Sequence, residues 1–456
     1  MLQRGLIILL LCAAVSLRAA DVLTWQTNQD RVTADIQSVE LRRLLEGVAK
    51  VTGWRVYLES NTTLNVSAKF KDLSSGDALH FLLHDLNYAL VPQTNASPRL
   101  FVFRTVRANA TELIHPADLA AGKKLDVKKI PNELIVRLKP GANIDDLARK
   151  LGAKVIGKID GLNAYRLQFP DAASASDALA QLTGSSDVVS VENNYVFDQP
   201  PPVARLVSGN APPPVQLSLN PPSADACHPI VGLVDTAWQP QGNDLDKFML
   251  KTLSVAGVAN PDPSIPTHAT AMFQDVLRGA SPVSKGSSSM QVLSVDVYGT
   301  NATTSSFDVA AGVVAAVNGG ANIINLSLGS PGDSQILHDI IQQATAKGIP
   351  VFAAAGNDSS AQPFYPAAYP EVISVTAGNN GQLASYANYG SYVKLMVPGS
   401  AVVYFNDTAY VVSGTSTSSA LTSGMAGGAA AANCIGASAA ANALLNTPTF
   451  QFTPAQ

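Results

Sequence analysis

The chain has 456 residues, 46% of them hydrophobic and only 14% charged, with a formal net charge of −4. This argues against an electrostatic grip on nucleic acid, and the 33 Gly and 28 Pro do not reach a low-complexity composition. A basic scaffold, a disordered acidic tail and a multi-span membrane protein are all excluded, and at roughly 100–200 residues per domain the length predicts two to four domains.

At the N-terminus Arg4 is followed by an apolar run from Leu6 to Leu17, with Ala19 and Ala20 before Asp21. One positive charge, a short apolar stretch and a small-residue exit predict a signal peptide over residues 1–20 and therefore an exported protein. An uncleaved anchor would need a longer apolar run, and no other stretch of 18 apolar residues follows, so no membrane span is expected in the mature chain. Cys12 lies inside the run. Cys227 and Cys434 would remain after cleavage, and in an oxidising compartment they either pair or stay as two buried thiols.

Residues 31–104 predict a small α+β module. Strands are expected at 32–36, 54–58, 66–70, 88–91 and 100–103, with helices around 41–48 (Leu41, Leu44, Leu45 and Val48 at helical spacing) and 75–83. This β-α-β-β-α-β order resembles the short N-terminal domain of secretins and TonB-dependent receptors. The resemblance implies contact with an envelope partner or ligand, and a periplasmic or secreted location. His80 and His84 stand four apart on the second helix, a metal-ligand spacing with no third ligand nearby, so an exposed helical pair is the simpler reading.

A second α+β unit, residues 123–198, predicts strands at 133–138, 154–157, 164–169 and 188–192 and helices at 144–151 and 176–182. It opens with Glu133-Leu-Ile-Val-Arg-Leu138 and closes with Val188-Val-Ser-Val-Glu192-Asn-Asn-Tyr-Val196, and it resembles the N-terminal propeptide of subtilisin-like proteases. That resemblance implies a folding chaperone and intramolecular inhibitor. Residues 199–224 contain eight prolines in 26 positions and predict an extended linker, which marks a domain boundary.

Residues 225–456 carry four blocks with chemical content. Ile230-Val-Gly-Leu-Val-Asp235 is an apolar strand run ending in an acid, where parallel α/β sheets place their reactive groups. His268, in Thr267-His-Ala-Thr-Ala-Met272, is positioned to open a helix. Val351-Phe-Ala-Ala-Ala-Gly-Asn357 is a second buried run, whose terminal amide can donate to an oxyanion without titrating. In Gly414-Thr-Ser-Thr-Ser418 a turn runs into an Ala-rich helix, so Ser416 presents a hydroxyl and a backbone N–H at a helix N-terminus. Taken alone, the acid and the histidine read more simply as a turn acid and a structural histidine, and the amide and the serine as an ordinary turn residue and a helix cap.

Together, in the order Asp, His, Asn, Ser with gaps of 33, 89 and 59, the blocks resemble the catalytic domain of subtilisin-like (subtilase) serine proteases. The resemblance implies a doubly wound, mostly parallel α/β sheet. It also implies an exported endopeptidase acting on protein or peptide substrates, autoprocessed from a precursor. Ser416 would be the nucleophile, His268 the base, Asp235 its orienting acid and Asn357 an oxyanion donor. Ser327-Leu328-Gly329 and Ala353-Ala354-Ala355-Gly356 would wall the first specificity pocket, a roomy apolar slot favouring large apolar residues before the cut. Self-cleavage is expected in the linker, after Leu206, Leu217 or Leu219.

No cofactor is required by the resemblance. It allows structural calcium, with Asp244, Asp246 and Asp262 as candidate acids, but a solvated surface explains them and no metal site is assigned. Ala237, Ala269 and Ala420 replace the family's usual Gly, Gly and Pro, each adding a methyl or removing a restraint near the site. Two other functions compete. One is a binding protein whose protease fold is inert and whose 31–104 module does the work. The other is an acyl hydrolase, disfavoured because Gly414-Thr-Ser-Thr-Ser418 lacks the second Gly of a Gly-x-Ser-x-Gly elbow.

Overall fold

The computed structural model describes residues 22–26, 30–59, 62, 64–92, 97–114, 125–201, 203–205, 213–220, 228–379 and 382–452. The expected signal peptide, Cys12, Leu206 and Cys227 lie outside these residues. Cys434 is disulfide-bonded. The chain divides into two units, Met1–Ala117 and Asp118–Gln456.

The first unit contains β1 (Val22–Gln26), β2 (Arg31–Glu40), α1 (Leu41–Thr52), β3 (Arg55–Glu59), β4 (Asn65–Leu73), α2 (Ser75–Leu82), β5 (Asn87–Val91), β6 (Arg99–Phe103) and β7 (Ala110–Ile114). The helical spacing of Leu41, Leu44, Leu45 and Val48 does bury one face of α1, which Gly53 ends at φ +69. Two antiparallel additions, β1 on β2 and β7 on β3, extend the module beyond 31–104, and its strands form two sheets, β1-β2-β4 and β5-β6-β3-β7. His80 is exposed, while the His84 ring lies 3.2 Å from the Phe81 carbonyl and 3.0 Å from Asp85.

The second unit opens with β8 (Lys129–Leu138), α3 (Ile144–Leu151), β9 (Lys154–Ile159), β10 (Ala164–Gln168), α4 (Ala172–Leu182) and β11 (Val188–Asp198). Leu134, Val136, Leu167 and Phe169 pack against both helices around a small core. Within 199–220 the described residues form only β12 (Ala204–Arg205) and β13 (Ser218–Leu219), as the prolines dictate.

Beyond the linker come β14 (Ile230–Asp235), β15 (Met249–Ser254), α5 (His268–Ala280), β16 (Ser287–Ser288), β17 (Gln291–Asp296), β18 (Thr303–Ser305), α6 (Ser306–Asn318), β19 (Ile323–Leu326), α7 (Gln335–Ala346), β20 (Val351–Ala354), β21 (Ile373–Asn379), β22 (Gln382–Leu383), β23 (Leu395–Val397), β24 (Ser400–Phe405), β25 (Thr408–Ser413), α8 (Thr415–Asn433) and α9 (Ala437–Leu445). The sheet runs β15-β17-β14-β19-β20-β21-β22, with β23 beside β21, and is parallel except at β22. Successive residues of the central strands feed opposite faces. Val231, Leu233, Val292 and Ile323 enter the core under α5 and α8, and Val234, Leu293, Val295 and Ile324 enter the one under α6 and α7. Burial on both faces explains why these strands read as unbroken apolar runs.

The site depends most on the crossing of α5 and α8. A Cβ on Gly279 would strike the Leu421 carbonyl, and one on Gly424 would strike the Val276 carbonyl, so only glycine lets the two backbones approach this closely. Against the crossing lies Asp275, 0% exposed, whose carboxyl is pushed up to about 7 by burial against the opposing pull of Arg278, Thr417 and His268. Gly424→Val is expected to cost at least about 1–3 kcal/mol by overpacking, read as a lower denaturant midpoint. For Asp275 the sign follows from an acid whose folded value exceeds its unfolded value of 3.8. Below pH ~4 the carboxyl is protonated in both states, and stability falls as pH rises toward 7, by at most about 1.4 kcal/mol per pH unit. Asp275→Asn should remove that decline, so its melting temperature should gain on wild type as pH rises through this window.

Candidate active site

Asp235 ends the central strand β14 with no exposed surface, and a buried carboxylate must be paired. One oxygen, Oδ1, accepts the Thr236 N–H at 2.7 Å. His268 Nδ1 lies 2.8 Å from Oδ1 and 2.9 Å from Oδ2, so the carboxylate holds the ring with a proton on Nδ1 and Nε2 facing outward. His268 is the first residue of α5. Thr267 caps that helix by accepting the Thr270 N–H, and the Ala269 N–H is tied to Thr236 Oγ1 at 2.9 Å.

Ser416 is the second residue of α8, where backbone N–H groups lack intrahelical partners. Its hydroxyl donates to the Ser327 carbonyl at 3.0 Å, and Ser327 Oγ returns a bond to the Ser416 carbonyl at 3.0 Å. Asn357 Oδ1 accepts the Thr415 N–H at 2.9 Å and lies 3.1 Å from the Thr415 hydroxyl, which leaves the amide Nδ2 as the donor toward the cavity. Gly356, before it, has φ +105, and a Cβ there would strike the Asn388 amide.

A cavity of about 440 Å³ is lined by Ser416, Thr415, Asn357, Gly356, Ala354, Ser327, Leu328 and Gly329, together with Phe364 and the chain from Asp198 to Pro201. Three expectations change here. Ala353 belongs to the core and the Ala355 carbonyl bonds to Asn388 and Tyr392, so neither lines the cavity. The slot is narrowed by the Phe364 ring, which a Cβ on Gly329 would strike and one on Gly356 would approach to 3.0 Å. Leu217 is buried in the core, and Leu219 lies in β13, paired with β16, so neither is an accessible cleavage point.

Ala269 and Ala420 are both fully buried, so their methyl groups are absorbed by packing, and Ala237 is partly exposed. Asp244 pairs with Lys247, Asp246 accepts the Gln241 and Gly242 N–H groups, and Asp262 accepts from Ser264. Among the described residues no group of three or more His, Cys, Asp or Glu could hold a metal.

Sequence reasoning missed the supporting amides. Asn325 is fully buried, donates to Ser327 Oγ at 2.9 Å and accepts from Ser419 Oγ at 2.9 Å. Asn388 Oδ1 accepts the Asp358 and Ser360 N–H groups. An amide interrupting the apolar run Ile323-Ile-Asn-Leu326 was the readable signal for the first.

The β11 strand leads into this cavity. Its residues 196–198 pair antiparallel with β18, joining the small sheet to the larger body. Glu192 accepts from Ser334 Oγ at 2.8 Å and from the Gln335 N–H at 2.6 Å, capping α7, and burial raises its carboxyl. Asn194 Oδ1 accepts from Ser306 Oγ and from the Phe307 N–H at the start of α6. Arg166 holds Glu133 through two nitrogens, at 2.7 and 3.1 Å, and Asp308 at 3.0 Å.

Residues 228–449 match the model of the subtilase family (Peptidase S8), and residues 117–194 match that of the fervidolysin N-terminal prodomain. The thermophilic serine proteinase of Bacillus sp. (strain AK1) is 34% identical over 164 residues, 35% of this chain and 41% of that protein. Halolysin of Haloferax mediterranei is 39% identical over 166 residues, 36% of this chain and 32% of its own length. The minor extracellular protease Epr of Bacillus subtilis is 41% identical over 101 residues, 22% and 16% of the two chains. The chain thus spans less than half the length of each of these relatives. Two solved structures share the fold. Fervidolysin from Fervidobacterium pennivorans has TM-score 0.50 and 18% identity, covering 67% of this chain and 55% of its own. A mutant epidermin leader peptide processing serine protease from Staphylococcus aureus has TM-score 0.52 and 15% identity, covering 70% and 96%. The chain thus carries a subtilase-family segment over residues 228–449, preceded by a segment similar to the fervidolysin N-terminal prodomain.

Proposed function

We propose that this chain is an exported serine endopeptidase, made as a precursor, that hydrolyses peptide bonds through an acyl-enzyme on Ser416. The observation carrying this reading is the Asp235–His268 pair at 2.8 Å at the end of the central strand, together with one cavity lined by Ser416 at a helix N-terminus and by the Asn357 amide. The reaction begins when Ser416 Oγ leaves the Ser327 carbonyl and turns to His268 Nε2. As Oγ bonds to the scissile carbonyl carbon, its proton passes to Nε2, and Asp235 stabilises the imidazolium. The oxyanion takes donors from Asn357 Nδ2 and the Ser416 N–H. His268 then protonates the departing amine, and water, deprotonated by the same ring, releases the acid and restores Oγ–H.

Residues 123–198 act as inhibitor and folding template. This is supported by their capping of α6 and α7 and by the run of Asp198 to Pro201 along the cavity wall. Self-cleavage falls in the linker beyond Pro201, and Leu206 remains a candidate. The 31–104 module contacts an envelope partner, as its secretin-like pattern suggests. Export rests on the apolar segment at 6–17, and fractionation decides between periplasm and medium.

The direct test is intact mass after expressing residues 21–456, wild type beside Ser416→Ala, each treated with a fluorophosphonate probe. The wild type alone should shorten and carry one adduct on Ser416, and two unlabelled full-length proteins would overturn the reading. Asn357→Ala should lower kcat by about 10²–10³ with KM little changed, the size of the loss known when subtilisin itself is stripped of one oxyanion donor.

A further inference from the structure

We propose that Phe364 fills the floor of the primary specificity slot, so that the enzyme cuts after glycine, alanine or serine and rejects large apolar residues. The proposal rests on the protease reading above and names the substrate class of that same site. The slot has two walls, Ser327–Gly329 on one side and Ala354 with Gly356 on the other, and the Phe364 ring touches one glycine on each. The ring stands close to both: a Cβ on Gly329 would collide with its edge, and one on Gly356, which would first strike the Asn388 amide, lies 3.0 Å from Cδ1. A large side chain before the cut needs the volume between these walls, and the ring takes up the part of it that lies against Gly329 and Gly356.

The ring is also held in place. Tyr365, the next residue, is bridged to Ser330, the residue after Gly329, by a pair of backbone bonds of 2.7 and 2.8 Å. The Phe364 carbonyl accepts the Ala368 N–H at 2.9 Å. On the other side, Asn388 fixes the chain that leads to Phe364 through its bonds to the Asp358 and Ser360 N–H groups. These bonds fix the backbone from which the ring projects beside the first wall, and a fixed backbone yields little to an oversized group.

The test uses the full chain after maturation and a panel of peptide anilides differing only in the residue before the cut: Gly, Ala, Ser, Leu, Phe and Lys. The wild type should show kcat/KM at least about tenfold higher for Ala than for Phe or Leu, since even single methylene differences in a pocket discriminate by about 10–200-fold. Phe364→Gly and Phe364→Ala should each raise the Phe-to-Ala ratio by at least about tenfold. Such a gain cannot arise from misfolding. A wild type preferring Phe, Leu or Lys, or a ratio unmoved in both variants, overturns the proposal. Fluorophosphonate labelling of the same samples separates the two levels. Labelled enzyme with the wrong preference sinks only the slot, whereas enzyme that neither labels nor cleaves sinks the protease reading and the slot with it.

Discussion

A carboxylate with no exposed surface at the end of the central strand is the constraint from which the site follows. A carboxyl buried there needs hydrogen-bond partners, and Asp235 finds them in the Thr236 N–H and the His268 ring. That requirement ties the first residue of α5 to the carboxyl edge of the sheet. The direction of α5 is then set by its contact with α8, where glycines at 279 and 424 let backbone meet backbone. The start of α8 is therefore delivered to the same edge, and Ser416 with it. Buried amides complete the frame. Asn325 links β19 to Ser327 and to α8, and Asn388 links the wall at Ala355 to the loop below it. These are neutral groups with satisfied bonds, which rigidify a site without introducing a competing charge.

The docking of residues 125–198 uses the unfinished ends of the same architecture. Helices α6 and α7 begin where their first N–H groups lack partners, and Asn194 and Glu192 supply acceptors from the neighbouring β11 strand. Ser305 and Ser334 cap the same two helices locally, so the β11 acceptors join the two sheets without being needed to keep either helix formed. The Glu133–Arg166–Asp308 cluster is different. Glu133 is 5% exposed, and removing Arg166 would leave it facing Asp308 with no cation between them. Such a cluster contributes more to a single docked arrangement than to net affinity.

Much of this was legible in the sequence because the signals are local. The helix face of Leu41, Leu44, Leu45 and Val48, the two-face burial of β14 and the helix-opening positions of His268 and Ser416 are written in consecutive residues. The flanking strands β1 and β7 were missed because five-residue segments gain their strand character from partners far along the chain. The docking of Leu217 and Leu219 was missed for a related reason. A proline-rich stretch reads as linker wherever it lies, and only the surface it crosses decides whether its apolar residues are buried.

The slot shows the same limit at the scale of one side chain. Ser327-Leu-Gly329 and Ala353-Ala-Ala-Gly356 are short and small, and small walls alone imply space. Space is a property of what stands opposite, however, and Phe364 lies seven residues beyond Asn357 in a segment with no chemical signature of its own. Gly329 is then better understood as the room left for that ring than as room for substrate, while Gly356 gives up its side chain first to the Asn388 amide and to its positive φ. Specificity of this kind works by exclusion. A ring on the floor adds little to the binding of small residues, but any larger one must displace it, beside a wall whose backbone is fixed by the Ser330–Tyr365 bridge.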